Sequence, residues 1–591
     1  MENQISLRKR LLTLLLTTVF LLGAALAAGT ETAAAKSKLK VSPKSKTIYV
    51  GKKTTLKANK KVKWSVYKGK KYVKITSKKS AKKVTVKGLK KGTAYVKAKR
   101  GKSVKKIKVV VKTPKKKAAK PAVNTKVPTK INLTSTAKTI GVGDTCTVSV
   151  QSVTPSTASK EVNFSSSDTK IAKVDRTGVV TGVSDGDVTI KATSKESGKI
   201  SASVKITVLK TITGKMNFTA EFTDETKFPK GKVTRIWIPI PETDKEHGTQ
   251  TVPPSTVTYK VGGNAKAEFT RDSSGNKALY VEWDKNTEPK ERTVQLSFEV
   301  TRREILRPDN MASLEKGSVD KTEMADYLKA TQRTGSLEDG GIVKKTADKI
   351  VKDASATTVY QKAYAIYDWV CENLRRDDST PAIGSGEVQY ILNHTDKGIG
   401  KCTDVNSVFV ALCRAEGIAA RSVYGLKLDS IMSNPDTQWR QKCKPQFYLP
   451  GYGWAEADAS ALLKLKKIKG NEDAWRGENA SEENKAEWKR LKDEYWGSAG
   501  PDSEMWMMLS TGGDITLSPR QSATSAEDAV LNADGSVEHL GILNKDGTMN
   551  YFVYPYAEYD GKFLKPIDDD KNNIEFNYKY TFTEGSDDCG C

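Results

Sequence analysis

Gly400-Lys-Cys-Thr-Asp-Val-Asn-Ser-Val-Phe-Val-Ala-Leu-Cys-Arg-Ala-Glu-Gly-Ile-Ala-Ala-Arg421 is the stretch on which the fold turns. Val405, Val408, Phe409 and Leu412 recur at helical spacing and Gly417 supplies a stop, so the stretch predicts a buried helix that opens at Cys402. A thiol on the first turn of a helix meets oriented backbone N–H groups, which favour thiolate over thiol. Thiolate is the form that attacks acyl carbon. A cysteine that merely starts a helix has the same local sequence, and what separates the two readings lies further along the chain.

The segment Lys442-Cys-Lys-Pro-Gln-Phe-Tyr-Leu-Pro-Gly-Tyr-Gly-Trp-Ala-Glu-Ala-Asp458 reads as two strands around a turn at Pro450 to Gly453. Lys442 and Asp458 lie at similar distances on either side of that turn, so their side chains are expected to be approximate cross-strand neighbours. A base on the first strand, a carboxylate on the second to orient it and a nucleophile at Cys402 would form a complete acyl-transfer set.

Gly400-Lys-Cys402-Thr-Asp, the following Phe409 to Arg421 block and the Tyr448 to Asp458 hairpin resemble the transglutaminase-like family, a papain-like cysteine fold, in its bacterial secreted branch. Gly513 to Pro519 and Tyr551 to Glu558 fit as well, and the likeness covers roughly residues 211 to 580. The resemblance implies a Cys-His-Asp triad acting at amide bonds by transfer or hydrolysis, with Cys402 as nucleophile and Asp458 as carboxylate. Lys442 stands where the family has its histidine. A lysine ammonium near its usual pKa stabilises a thiolate but does not readily accept and return a proton at neutral pH, and Asp458 would hold it charged.

Three histidines exist in the chain: His247, His394 and His539. His394 precedes Cys402 by eight residues, on the wrong side in chain order. His247 and His539 fall in polar, turn-like segments, so none replaces the missing base. Trp454, Tyr452 and Tyr448 either wall a substrate groove or pack against the core. The Glu- and Lys-rich stretch Ser481 to Trp496 is expected to be a solvated insertion.

Upstream, Lys46-Thr-Ile-Tyr-Val-Gly51 recurs as Lys138-Thr-Ile-Gly-Val-Gly143, and Gly92 to Ala98 as Gly186 to Ala192, each followed by an alternating strand. Period-two alternation, short runs and glycine turns describe two small β-sandwiches, with Trp64 and Phe164 as matching core aromatics. Both units resemble the bacterial immunoglobulin-like group 2 domain, which implies a surface-displayed spacer or adhesion module. From about Thr211 to Arg303 a third β unit follows. Helical periodicity starts near residue 320 and strengthens at Val359, Ala363, Ile366, Tyr367, Val370 and Leu374.

The expected fold is therefore multidomain: two all-β immunoglobulin-like sandwiches, a third β domain, then an α+β transglutaminase-like domain. The expected partition is a signal peptide at 1–28, sandwiches at 36–112 and 129–209, and a Lys/Pro/Ala linker at 113–128. The β domain follows at 210–304, the core at 305–470, and an insertion with a C-terminal β segment and acidic tail at 471–591. Basic residues at 8 to 10, the apolar run Leu11 to Leu22 and Ala25-Leu26-Ala27 are the leader's marks, with an uncleaved membrane anchor as the alternative.

The chain carries 99 Lys+Arg against 69 Asp+Glu, a net charge of +30, concentrated in the lysine-rich first third. Such a surface draws polyanions, so acidic cell-envelope polymers are expected partners. No motif for sequence-specific nucleic-acid reading is present. Seven cysteines are too sparse for a disulfide scaffold, and Cys146, Cys371 and Cys413 read as small buried hydrophobes. Cys589 and Cys591 form an isolated Cys-Gly-Cys, and Asp568 to Asp570 a solvated charge cluster. No metal and no cofactor is expected. Two functions remain: an exported thiol acyltransferase or peptidase using Cys402, Lys442 and Asp458 on peptide or protein amides, or an inactive transglutaminase-like module for peptide binding or envelope structure.

Overall fold

The computed structural model describes residues 38–114, 126–378, 384–396, 400–434, 441–468, 472–475, 480–498, 500, 502–522, 541–567 and 574–585. The leader, the centre of the linker, His539, Asp568 to Asp570, Cys589 and Cys591 lie outside them. The chain divides into two compact units, 1–124 and 125–591.

In the first unit, strands such as Gly92–Arg100 and Ser103–Lys112 alternate buried valine, isoleucine or alanine with exposed lysine. This period-two pattern places Leu56, Trp64, Val86, Val96 and Val109 in one core and turns the lysines to solvent. Trp64 is buried, and its indole N–H donates to the Ala81 carbonyl at 2.9 Å.

The second unit begins with a sandwich of two four-stranded sheets. One contains Lys130–Ser135, Thr145–Thr154, Val179–Gly182 and Ala172–Val174. The other contains Val162–Ser166, Gly186–Ser194, Ser201–Leu209 and Thr139–Gly141. Cys146, Val148, Ile190 and Val208 fill its core, with Phe164 only half-buried beside them.

Two five-stranded sheets follow. Thr211–Glu221 lies between Thr293–Arg303 and the C-terminal strand Asn577–Glu584, which pairs residue by residue from Gly214↔Glu584 to Glu221↔Asn577. Thr234–Ile240 likewise pairs with both Lys277–Trp283 and the late strand Tyr556–Tyr559. The β unit at 210–304 is thus completed by chain found beyond residue 550. Phe218 is fully buried between these strands, its ring 4.9 Å from Tyr580.

In the α+β part the first α-helix is Ile342–Asp353. The stretch near residue 320, expected to be helical, makes only a 3-10 turn at Ala325–Tyr327, and regular helix begins at Ile342. Val359–Asn373 is fixed by a capping box: the Thr358 hydroxyl accepts the Gln361 N–H at 3.2 Å, and Gln361 Oε1 accepts the Thr358 N–H at 3.2 Å. Helix Cys402–Ala415 is buried along nearly its whole length. It ends in a Schellman motif, with Gly417 N–H on Arg414 O and Ile418 N–H on Cys413 O, both 2.9 Å, and Gly417 at φ 71°.

That helix packs on an antiparallel sheet ordered Gly453–Glu456, Gln441–Leu449, Ala420–Lys427, Trp506–Thr511. The Ser481 to Trp496 stretch corrects its expectation as a solvated insertion. Helix Glu482–Tyr495 buries Trp488, Leu491 and Tyr495, and Trp496 stacks on Phe447 at 4.9 Å. Its three apolar positions fall on one face, which the charged residues around them obscure in the sequence.

Candidate active site around Cys402

The nucleophile helix is held at its start by Asp404. This buried carboxylate accepts the Lys401 N–H at 3.0 Å, the N–H groups of Ser385 and Gly386 at 2.9 Å each, and the Ser385 hydroxyl at 3.2 Å. It therefore ties the segment at 384–386 to the first helical turn, as a capping residue reaching back to the N-cap does. Burial pushes the Asp404 carboxyl up to about 6, against the hydrogen bonds from Gly386, Lys401 and Ser385. Gly400, at φ 129°, must be glycine: a Cβ there would fall on the Asp404 carboxylate.

Cys402 opens the helix and is only 6% exposed. The Cys443 thiol donates to its sulfur, which outweighs burial; Arg376, the Cys443 N–H and the Lys442 charge act in the same direction. Together they pull Cys402 down to about 6. Burial, and then the hydrogen bond to Cys402, hold Cys443 well above the ordinary thiol range. Cys371 and Cys413 are raised by burial, so of these four only Cys402 is drawn toward the thiolate. Arg376 is fixed by Ser460 Oγ and Asp378 Oδ1, each at 2.7 Å.

Lys442 Nζ lies 2.7 Å from Asp458 Oδ2. Asp458 is fully buried, and its other oxygen accepts the Ala461 N–H at 3.0 Å, at the start of helix Ala459–Ile468. The pairing is not directly cross-strand. The register runs Gln446↔Glu456 to Leu449↔Gly453 and stops at Glu456, so Lys442 reaches Asp458 beyond the end of the partner strand. Burial lowers the Lys442 pKa, but the Asp458 charge and hydrogen bond override it and hold the ammonium above its usual value. Lys442 is thus a fixed cation beside Cys402, and a poor general base.

The sequence reading missed Cys443, Arg376 and Lys444. Strand alternation places Cys443 opposite Lys442, toward the helix; that was readable once the strand was assigned, but its contact with Cys402 needs the helix docked. Lys444 is 2% exposed, with its ammonium 4.6 Å from the Trp506 ring centroid. Burial and then the Lys442 charge push it down to about 7, against the pull of Glu456 and Asp458.

Further along the same sheet face, Arg421 Nε donates to Gln446 Oε1 at 2.7 Å, Gln446 donates to Glu456 at 2.8 Å, and the Arg421 guanidinium lies 4.0 Å over Trp454. These residues, with Arg302 and Tyr452, line a cavity of about 550 Å³. Tyr452 and Trp454 line this cavity, but Trp454 is only 7% exposed, packed by Arg421 on its ring and by Tyr327 and Tyr448 edge-on. His247 belongs to this cavity: its Nε2 is 2.9 Å from the Trp454 carbonyl and its ring stacks on Tyr452 at 4.8 Å. His394 packs on Tyr390, with Nδ1 2.8 Å from the Tyr390 carbonyl.

Residues 344–459 match the transglutaminase-like superfamily family model, a span that contains Cys402, Lys442 and Asp458. The core of the chain is a transglutaminase-like domain. Residues 127–206 match the bacterial Ig-like domain, group 2, which is the second of the two repeats. The chain is 30% identical over 262 residues to an uncharacterized protein of Haemophilus influenzae, covering 40% of this chain and 67% of that one.

Among solved structures, a cysteine-protease candidate from Cytophaga hutchinsonii aligns at 14% identity and TM-score 0.31, over 64% of this chain and 98% of that one. The periplasmic domain of TgpA from Pseudomonas aeruginosa aligns at 14% identity and TM-score 0.24, over 44% of this chain and 90% of that one. Among the described residues, no helix is long and apolar enough to cross a membrane and no group of three or more His, Cys, Asp or Glu side chains could hold a metal ion.

Proposed function

We propose that this is an exported, envelope-associated acyl-transfer protein in which Cys402 attacks the acyl carbon of peptide or protein substrates and Lys442 serves as a cationic partner in place of a base. The observation that carries this reading is the pairing of a thiolate-favouring site at Cys402 with a Lys442–Asp458 ion pair. A preformed thiolate needs no base to attack. Addition and collapse give a thioester at Cys402, with the departing amine taking a proton from the Lys442 ammonium. Hydrolysis of the thioester then requires a base to activate water, and Asp458 keeps returning Lys442 to its charged form. Acylation is therefore faster than release, and the thioester accumulates.

The experiment is incubation of the full chain with a peptide p-nitrophenyl ester, following both chromophore release and intact mass. The expected result is a burst of about one equivalent, a slow steady state and an acyl adduct on Cys402. Rapid turnover without a burst, or no adduct on a folded protein, would overturn the reading. The second reading, an inactive peptide-binding or structural module, draws on the 6% exposure of Cys402, which leaves little room for an incoming acyl group.

In either reading, the leader at 1–28 accounts for export and the two Ig-like sandwiches act as spacers. The lysine-rich first third holds the protein to acidic envelope polymers.

A further inference from the structure

Cys443 is neither part of the expected triad nor a plain core residue. Its sulfur accepts the Thr403 hydroxyl at 3.5 Å and the Asn406 side-chain N–H at 3.6 Å, both from the first turns of the helix that Cys402 opens. The Asn406 amide also donates to the Cys443 carbonyl at 3.2 Å, which fixes the strand against that turn. The Cys443 thiol and backbone N–H both donate to the Cys402 sulfur. The helix start thus holds two reduced sulfurs in direct contact, one in a setting that favours the reactive thiolate and the other kept as a thiol.

We propose that Cys402 and Cys443 are a reversible oxidation site, in which Cys443 resolves the oxidised form of Cys402 by closing a disulfide. The oxidant is a peroxide. The Cys402 thiolate attacks a peroxide oxygen; an S–O bond forms and the O–O bond breaks, so Cys402 becomes a sulfenic acid and hydroxide leaves, becoming water with the proton that Cys402 had released to solvent. The Cys443 sulfur then attacks the Cys402 sulfur, the S–O bond breaks and a second water departs with the Cys443 proton. In sum, two thiols and one hydrogen peroxide give one disulfide and two waters.

The disulfide masks the acyl-transfer nucleophile and protects it from irreversible oxidation to sulfinic acid. An adjacent resolving thiol is the arrangement expected of a redox-sensitive cysteine. The proposal requires only the two sulfurs and stands whether or not the site turns over amides.

The test treats the full chain with a small excess of hydrogen peroxide, blocks remaining thiols with iodoacetamide and maps the unreduced digest. The expected result is a Cys402–Cys443 linked peptide pair, with alkylation of Cys402 falling about tenfold and returning on treatment with dithiothreitol. In Cys443→Ser the linked pair is lost, Cys402 proceeds to sulfinic acid and dithiothreitol no longer restores it. Wild-type protein in which Cys402 becomes sulfinic acid while Cys443 remains alkylatable, or in which Cys402 links to any other cysteine, overturns the proposal. The wild-type digest decides the matter even if the Cys443→Ser protein does not fold.

Discussion

Lys442→His is expected to turn a site that stops at the thioester into one that releases product, with the steady-state rate rising by a factor of about 10² or more. The reason lies in the proton, not in the nucleophile. Cys402 is drawn toward the thiolate mainly by the hydrogen bond from Cys443 and by Arg376, which the substitution leaves in place; the Lys442 charge is the smallest of the lowering influences. What wild type lacks is a group that gives up and takes back a proton near neutral pH. Asp458, which fixes Lys442 as an ammonium, would instead orient an imidazole and stabilise its protonated form. Lys442→Met is the control, since it removes the cation without supplying a base; it should leave turnover as slow as in wild type. Measurement of the burst and steady state for the three proteins separates the cases. If Lys442→His binds substrate and forms the adduct yet releases product no faster, base loss is not what limits the site.

Asp458→Ala is expected to destabilise the transglutaminase-like core by about 3–5 kcal/mol, because it leaves the Lys442 cation in a largely enclosed site without its counter-ion. It also removes the acceptor for the Ala461 N–H at the start of the following helix, a cap worth about 1 kcal/mol. Asp458→Ala combined with Lys442→Met should recover most of the ion-pair part of this loss and none of the cap. Urea unfolding of the single and double variants, followed by tryptophan fluorescence, provides the comparison. Equal instability of the single and the double variant would mean that the ion pair contributes little and that Asp458 acts mainly as a cap.

Much of this site was legible in the chain. Gly400 before Cys402, the apolar stripe from Val405 to Leu412 and Gly417 define a helix through local rules, and the structure keeps each in its expected place. The Pro450 to Gly453 turn set the hairpin, and with it the approach of Lys442 to Asp458.

The parts that were not legible depend on distant chain. The pairing of Asn577–Glu584 with Thr211–Glu221 joins segments more than 350 residues apart, and nothing in either strand's alternation names its partner. Whether Trp488 and Leu491 are buried depends on a core supplied from elsewhere. His247 reads as a turn residue because its contacts, Tyr452 and the Trp454 carbonyl, come from the hairpin two hundred residues later. Nothing in the sequence marks Lys444 as buried in a lysine-rich chain; its burial depends on strands from elsewhere, among them the one carrying Trp506, whose ring centroid lies 4.6 Å from its ammonium.

The pH dependence of Cys402 alkylation tests the account's central claim most directly. Iodoacetamide labelling of the reduced full chain, quantified peptide by peptide from pH 4 to 10, should give a Cys402 midpoint near the value of about 6 set by Cys443, Arg376 and Lys442. The thiolate share would then be nearly complete at neutral pH. A midpoint at the ordinary thiol value of about 8.5 or above would contradict it, because Cys402 would then be an uncharged core sulfur.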